Sequence, residues 1–335
     1  MAKRPTSQNV ADLAGVSKWT VIRAFTPGAS ITEESRAKVI AAAERLNYRP
    51  NLLARSLATN LTHQVAVLVD DFENPHKLPV LEKLTLELQA EGLVAMLVNI
   101  NDRFGHVHAL LNAGQRQVDA VILFGTAFRN ETLQDVRLEG AAPMFVLARD
   151  SQIPGVPAIS CDATVAIEEL CAHLHEQGYK RPGFMAGPQT LSTALGRRRA
   201  FKDFWRRHGI EDVPELLANS YSATSGGDAA RKYLKETDPA DRIDVLMCEN
   251  DALALGTLDV LRSEFGLRVP QDLGVAGFDN ITFAGAPAYD LTTYEQPIEE
   301  MIRATVEMVL GKRERATLKL SGKLFVRRST IRSHI

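Results

Sequence analysis

The stretch Val10–Phe25, VADLAGVSKWTVIRAF, decides how the amino-terminal part of this chain folds. Ser7 reads as the cap of a short helix whose apolar face is Val10, Leu13 and Ala14. Gly15 then breaks that helix, because glycine tolerates the positive φ of a tight inter-helix turn. Ser17 caps a second helix, from which Val21, Ala24 and Phe25 bury against the first. Lys18, Trp19, Ile22 and Arg23 fall on the opposite side, since positions i, i+1, i+4 and i+5 share a helical face. An exposed tryptophan between two cations is a poor choice for a plain surface helix. It suits a helix laid in a DNA major groove, where cations reach guanine edges or phosphates and apolar groups meet thymine methyls.

Composition points the same way. A chain of 335 residues, 45% of them hydrophobic, can bury more than one core, so two or three domains are expected. The net charge of −2 divides unevenly: residues 1–62 hold nine cations against four acids, +5, which leaves −7 for the remainder. A basic head on an acidic body is the charge plan of a nucleic-acid-binding module joined to something that binds no nucleic acid. Three scattered cysteines (Cys161, Cys171, Cys248) make no disulfide framework and point to a reducing compartment. No apolar run follows Lys3 and Arg4, so no export signal is expected. No stretch approaches the length of a membrane span, and a cytoplasmic protein is expected.

Met1–Thr6 reads as a short basic arm and Thr26–Ser30 as a loop. Thr32 caps a third helix that carries Glu33 and Glu34 in its first turn and runs to about Leu46, with Val39, Ala42, Ala43 and Leu46 as its stripe. After the break Asn47–Asn51, the piece Leu52–Ala58 is too short for a stable helix alone. It is either a linker with incidental leucines or a segment that turns helical only when paired on DNA, with Leu57 wedged between base steps of the minor groove.

The run NVADLAGVSKWTVIRAF followed by ITEESRAKVIAAAERLNYRPNLLARSLAT resembles the headpiece and hinge of the lactose-repressor/galactose-repressor (LacI/GalR) family of bacterial transcription regulators. The resemblance implies DNA contacts at Ser7, Ser17, Lys18, Trp19, Thr20, Ile22, Arg23, Thr32, Tyr48, Asn51, Ala54 and Leu57. The family's usual Thr-Val-Ser-Arg reads Thr20-Val21-Ile22-Arg23 here, so Ile22 either turns to a thymine methyl or joins the small core. Lys18 and Trp19 stand at the family's variable base-reading positions, so the operator is expected to differ from those read by a Tyr-Gln pair.

From Val65 the grammar changes. Short apolar runs (Val65–Val69, Val94–Ile100, Ala120–Phe124, Met144–Ala148, Gly183–Gly187, Val245–Cys248, Gly274–Phe278) are separated by amphipathic helical stretches (Leu78–Glu91, Thr164–Gln177, Leu195–His208, Gly227–Glu236, Leu253–Phe265). Such alternation means βαβ units and parallel sheets, and there are too many strands for one sheet, so two similar lobes with a cleft are expected. Glu249–Gly256, Val269–Asp272, Val275–Asp279 and Leu291–Thr293 continue the family resemblance to the carboxyl terminus. The fold expected is therefore an all-α helix-turn-helix headpiece plus a two-lobed α/β sensor domain of the periplasmic-binding-protein-like type (type I). The expected divisions are 1–47 for the headpiece, 48–61 for the hinge and 62–335 for the sensor. The first lobe would take about 62–161 with 294–322, the second about 162–293 with the carboxyl-terminal end.

Ligand clefts of parallel sheets open at the carboxyl ends of strands. Asp162, Asn250 and Asp279 each follow a strand there, and carboxylates and amides at such ends suit hydroxyl-rich ligands. Asp162 has the alternative of merely capping the next helix. The resemblance raises all three as effector contacts and adds Tyr221 as an aromatic against a sugar face. Asn74 and His76, in the loop Asp70–Lys77, are placed on the cleft wall. Two departures point away from a neutral hexose. Leu195 stands where many relatives have an arginine six residues before the aromatic Phe201, with Arg197 two residues on; an acid common near the end of the fourth strand is Ala148, followed by Arg149 and Asp150. A sugar, a sugar acid or another small polar metabolite is the expected effector.

Other chemistry lacks support. Cys171 and His175 are spaced i, i+4, but Cys171 fits a buried stripe with Ile167 and no third ligand is evident, so no metal is expected. Gly183–Gly187 lacks the Gly-Lys-Ser/Thr ending of a phosphate loop, and no nucleophile–base pairing stands out, so neither catalytic residues nor a cofactor are expected. The sequence reads as a homodimeric, ligand-responsive repressor of a pseudo-palindromic DNA operator. The alternative, a sugar receptor without a DNA role, leaves the basic headpiece unused. No leucine heptad follows Arg332, so the tetramerising helix of some relatives is not expected.

Overall fold

In the computed structural model, residues 5–26, 28–50, 56, 61–101, 105–125, 142–151, 153–188 and 196–332 are described. The chain divides into two units, 1–62 and 63–335.

In the first unit, α1 (Ser7–Ala14), α2 (Lys18–Ala24) and α3 (Glu33–Arg45) close on a core of Val10, Ala11, Val21, Ala24, Val39, Ala42 and Ala43. Each helix starts on a hydroxyl that accepts from a backbone amide, as the cap residues imply: Thr6 from Asn9, Ser17 from Thr20, Thr32 from Ser35. Gly15 turns the chain between α1 and α2 at φ 65°. Two expectations are corrected. Thr6, not Ser7, caps α1, because the Asn9 side chain reaches back to the Thr6 amide and completes a reciprocal box that Ser7 has no partner for. Leu13 is 43% exposed and Ala11 takes its place inside, since α1 turns its smallest residue to the helices crossing it and Leu13 lies ~200° around from there.

The second unit holds two six-stranded sheets. In the first, β1 (Gln64–Val69), β2 (Val94–Asn99), β3 (Ala120–Phe124), β4 (Met144–Leu147), β5 (Ala158–Cys161) and β11 (Leu318–Leu320) lie in the order β11-β5-β4-β3-β1-β2, all parallel. Val65, Val67 and Val69 point to one face, against α4 (Lys77–Ala90) and α10 (Ile298–Val309), while Ala66 and Leu68 point to the other, against α5 (His106–Gln115). In the second, β6 (Pro182–Ala186), β7 (Glu215–Leu217), β8 (Val245–Cys248), β9 (Gly274–Phe278), β10 (Thr292–Glu295) and β12 (Lys323–Phe325) run β12-β10-β9-β8-β6-β7, with β12 alone antiparallel. Helices α6 (Ala163–Glu176) and α7 (Arg197–Arg207) cover one face, and α8 (Ala223–Glu236) and α9 (Asp251–Ser263) the other. With continuous apolar strands and helices on both faces, this is the buried parallel architecture the alternation implied.

The chain crosses between lobes at 161–163, 295–298 and 320–323, and the Asp162 amide donates to the Leu320 carbonyl, 2.8 Å, so two crossings are bonded to each other. The second crossing begins after Glu295 and not at 294, because Thr292–Tyr294 stay in register with Ala276–Phe278 of β9 and Glu295 pairs with Lys323 of β12. Helix α8 starts a turn earlier than Gly227. Ser222 caps it, and Gly226, Gly227 and Gly256 let α8 and α9 meet backbone to backbone. A methyl on Gly256 would run into the Ala223 carbonyl. Gly256→Ala is therefore expected to lower the urea midpoint by the equivalent of about 2–3 kcal/mol, read from the fluorescence of Trp205, which lies in the same lobe.

Candidate nucleic-acid interface and ligand cleft

On α2 the buried residues are Val21 and Ala24, and the outward face carries Lys18, Trp19, Ile22 and Arg23. Trp19 is 62% exposed and Ile22 41%, so of its two readings Ile22 did not join the core. The Arg23 guanidinium lies 5.8 Å from the Trp19 ring, which sets an aromatic plane and a cation side by side on a rigid helix. Thr20 and Ser17 hold hydroxyls 2.9 Å apart at the amino end of that helix. Ser7 bonds the Tyr48 hydroxyl, and Tyr48 packs at 6.0 Å on Phe25 while its amide donates to the Ala43 carbonyl, so both residues tie the helices together. Arg36 donates to the Ala24 carbonyl, 2.6 Å, which anchors the end of α2 to α3. Asn51, Ala54, Leu57 and Leu195 lie outside the described residues.

The sheets of the second unit share a strand order in which β1 and β6 sit where the winding reverses, and crevices open at the carboxyl ends there. Asp70 ends β1. Lys77, at the start of α4, points its Nζ 3.6 Å from Asp70 Oδ1, donates to the Phe124 carbonyl and lies 4.2 Å over the Phe124 ring. Asn74 is spent on the turn, accepting from the His76 amide at 3.0 Å. His76 reaches across the lobe junction, 3.9 Å from Asp279 Oδ1 and 3.5 Å from Gln296 Nε2, and Gln296 donates to Asp279 at 2.7 Å. Burial holds His76 below its ordinary pKa despite the Asp279 carboxylate, so it is neutral at pH 7.

Beside this contact lies a small polar cavity lined by Ala148, Arg149, Asp150, Ser160, Cys161, Ala163, Arg197 and Gln296. It draws on the carboxyl ends of β4 and β5, the start of α7 and two of the lobe crossings. Arg149 is buried, and its guanidinium is pushed down to about 10 by burial and held up by the Asp70 charge, so it stays a cation at neutral pH. Arg197 lies 3.6 Å over the Phe278 ring and donates to the Glu249 carbonyl at 2.8 Å. Ala148, before Arg149, has φ 62°, and Asp279 has φ 112°. Left-handed backbone of this kind is costly for residues with a Cβ and gathers at functional sites. Two buried polar atoms in this region, Asn250 Nδ2 and Gln296 Oε1, have no hydrogen-bond partner.

Of the residues singled out from the sequence, the fold gathers His76, Arg149, Arg197 and Asp279 at the lobe junction. Asp162 caps α6, accepting from Thr164 at 2.9 Å and Val165 at 3.2 Å, so its structural reading holds. Asn250 caps α9 through its Oδ1 and keeps the unpartnered amide. Tyr221 is corrected. Its ring is buried against Gly187 and its hydroxyl donates to Glu249 Oε2 at 3.0 Å, so no ring face is open to a ligand. Lys77, Glu249 and Gln296 were missed. A lysine opening a helix and a glutamate and a glutamine just past strand ends carry no periodic signal that sets them apart. Cys171 is buried and unbridged, and among the described residues no His/Cys/Asp/Glu group could hold a metal.

Asp71, next in the loop, has its carboxyl raised to about 6, chiefly by burial, and one of its oxygens has no hydrogen-bond partner. An acid with a raised native pKa stabilises the fold below its unfolded value near 4 and loses that stabilisation as pH rises through 6. Asp71→Asn, which keeps a residue suited to φ 51°, is expected to raise the urea midpoint at pH 8 and leave it unchanged at pH 4. Equal midpoint changes at both pH values would show that the carboxyl is not held protonated by the fold.

The family model for bacterial regulatory proteins of the lacI family matches residues 6–51, and that for a periplasmic binding protein-like domain matches residues 171–330. The chain is 30% identical over 343 residues to the HTH-type transcriptional regulator CelR of Thermobifida fusca, covering 98% of both chains. It is 28% identical over 334 residues to the HTH-type transcriptional repressor PurR of Photorhabdus laumondii, covering 97% of both. Among solved structures, the lac repressor dimer bound to operator and the anti-inducer ONPF superimposes with a TM-score of 0.85 at 23% identity, over 98% of this chain and all of that one. A CelR–cellobiose complex does so with a TM-score of 0.70 at 26% identity, over 97% of this chain and all of that one. Among the described residues no helix is long and apolar enough to cross a membrane. With a helix-turn-helix headpiece, a two-lobed parallel α/β body and a relative at this identity along nearly its whole length, the chain belongs to the lacI family of bacterial regulatory proteins, DNA-binding regulators of transcription.

Proposed function

We propose that the chain acts as a homodimeric repressor in the cytoplasm, in which residues 1–47 read DNA, 48–61 form a hinge and 62–335 sense a small polar metabolite. Each headpiece takes one half of a pseudo-palindromic operator, with Lys18, Trp19, Ile22 and Arg23 in the major groove and the hinge segments pairing at the centre. Ser7, Ser17, Thr20, Thr32, Tyr48, Asn51 and Ala54 act at or near the phosphates, which fix register and supply most of the affinity. Leu57 wedges a base step. The metabolite binds at the lobe junction, where His76, Arg149, Arg197, Asn250 and Asp279 gather, and shifts the lobes enough to favour one hinge state. A coupling of about 1–3 kcal/mol suffices for such a switch. The chain does no chemistry on its ligand.

The observation that carries this reading is the outward face of α2. A tryptophan and an isoleucine stand exposed between Lys18 and Arg23 on a helix whose other side is fully used by the core. Arrays of randomised duplexes select the operator, and fluorescence anisotropy then measures binding. Trp19→Ala is expected to weaken operator binding about tenfold or more, in the range of one good base contact, and to leave binding to unrelated duplex unchanged. Leu57→Ala is expected to weaken operator binding and reduce bending. No selected sequence at low salt, with or without added metabolites, would overturn the reading.

A further inference from the structure

We propose that Trp19 and Arg23 read DNA as one coupled pair, in which the indole holds the guanidinium for a guanine and itself covers the 5-methyl group of a thymine in the next base pair. The proposal rests on the reading of α2 as the helix that enters the major groove, and says which base step that helix selects.

The outward face of α2 has two columns, each one helical turn long: Lys18 with Ile22, and Trp19 with Arg23. All four residues are exposed, and the core takes only Val21 and Ala24 from this helix. Within the second column the Arg23 guanidinium lies 5.8 Å from the centre of the Trp19 ring. Among the described residues no carboxylate forms an ion pair with Arg23, which sets it apart from exposed arginines of the larger unit. There Arg198 pairs with Glu215 at 2.6 Å, Arg206 with Asp203 at 2.7 Å and Arg207 with Glu168 at 2.6 Å.

The difference decides what Arg23 can do. A carboxylate occupies the N–H donors of a guanidinium, whereas the face of an indole restrains the group through its charge and leaves the donors on its edge free. Guanine presents O6 and N7 side by side, the acceptor pattern that a guanidinium fork fits. An arginine gives up much rotamer freedom when it docks, so one already set against a ring on a rigid helix docks at a lower cost.

The thymine follows from distance. Base pairs stack about 3.4 Å apart, so groups 5.8 Å apart span more than one base step and less than two. With the guanidinium on a guanine, the indole stands over the edge of the adjacent pair. The apolar group that the major groove offers there is the thymine methyl, and every other base edge would set polar atoms against the ring. Trp19, 62% exposed, has the surface to cover it.

The test uses the whole chain on arrays of randomised duplexes, followed by fluorescence anisotropy on single duplexes. Arg23→Ala is expected to relax the selected sequence at one guanine in each half-site, and a neighbouring pair is expected to be A·T or T·A in a fixed orientation. Replacing that thymine by deoxyuridine removes only the methyl group. The exchange is expected to weaken binding of the unaltered chain about fourfold, the equivalent of ~0.8 kcal/mol for one buried carbon group, and to leave Trp19→Ala binding unchanged. Trp19→Ala is also expected to lower discrimination between guanine and adenine at the Arg23 position about threefold, in the range of one exposed cation–π pair, with the salt dependence unaltered. In an Arg23→Ala background the same substitution is expected to have no such effect. Trp19→Phe keeps a ring, is expected to retain part of both effects, and serves if the alanine variant does not fold. A deoxyuridine penalty of equal size in Trp19→Ala, or guanine discrimination that this variant leaves intact, overturns the coupled pair and leaves α2 as the reading helix. So does an operator in which Arg23→Ala relaxes no guanine, or in which that guanine has G·C or C·G on both sides. Selection of no sequence at all overturns the reading of α2 itself.

Discussion

The three crossings between the lobes constrain everything else in the larger unit. The chain passes at 161–163, 295–298 and 320–323, and the first and third are bonded through the Asp162 amide and the Leu320 carbonyl. Gly322 fits there because a Cβ would collide with the Glu295 carbonyl, and its amide instead takes the Tyr294 hydroxyl as acceptor at 3.1 Å. Three crossings packed this closely tie the two lobes together along one line. The cavity is lined by residues of those crossings (Cys161, Ala163, Gln296) and so lies where the lobes are joined. A ligand there needs only a small difference in contacts to bias the angle between lobes.

The lobes solve the same packing problem twice. In each, the strand where the winding reverses ends beside a glycine pressed against an acid-bearing wall: Gly125 against the Asp70 carboxylate, Gly187 against the Tyr221 ring with its amide on Glu249. A larger residue at either point would fill the crevice. Around them the charges are buried, with Lys77 beside Asp70, Arg149 near the Asp70 charge, and Arg197 on the Glu249 carbonyl. Buried ion clusters of this kind contribute little to stability compared with apolar packing. They make sense as a site with a demanding electrostatic preference.

The headpiece shows the opposite economy. Seven small or medium apolar residues form its core, and three hydroxyl caps and one glycine turn fix its helices. Nothing on α2 is free to improve that core, since Val21 and Ala24 fill the inner face. The exposed tryptophan therefore has no structural reason to be there. Its neighbours are cations, and duplex grooves offer the surface that such a face complements.

Much of this was legible from residue order alone. Helix caps, the glycine at φ 65°, the strand–helix alternation and the basic–acidic split are local or additive properties, and local steric and solvation rules determine them. The errors are equally instructive. Thr6 displaced Ser7 because a cap depends on a reciprocal partner, and α8 began a turn early because Gly226 and Gly256 serve a helix contact, not a break. Tyr221 went inward to satisfy Glu249, and Asp162 spent its carboxylate on a helix end. Which charges share one cavity depended on residues from four separate segments meeting at the lobe junction. Only the tertiary structure decides that, because desolvation and Coulomb energy depend on distance in space, and distance along the chain says nothing about them.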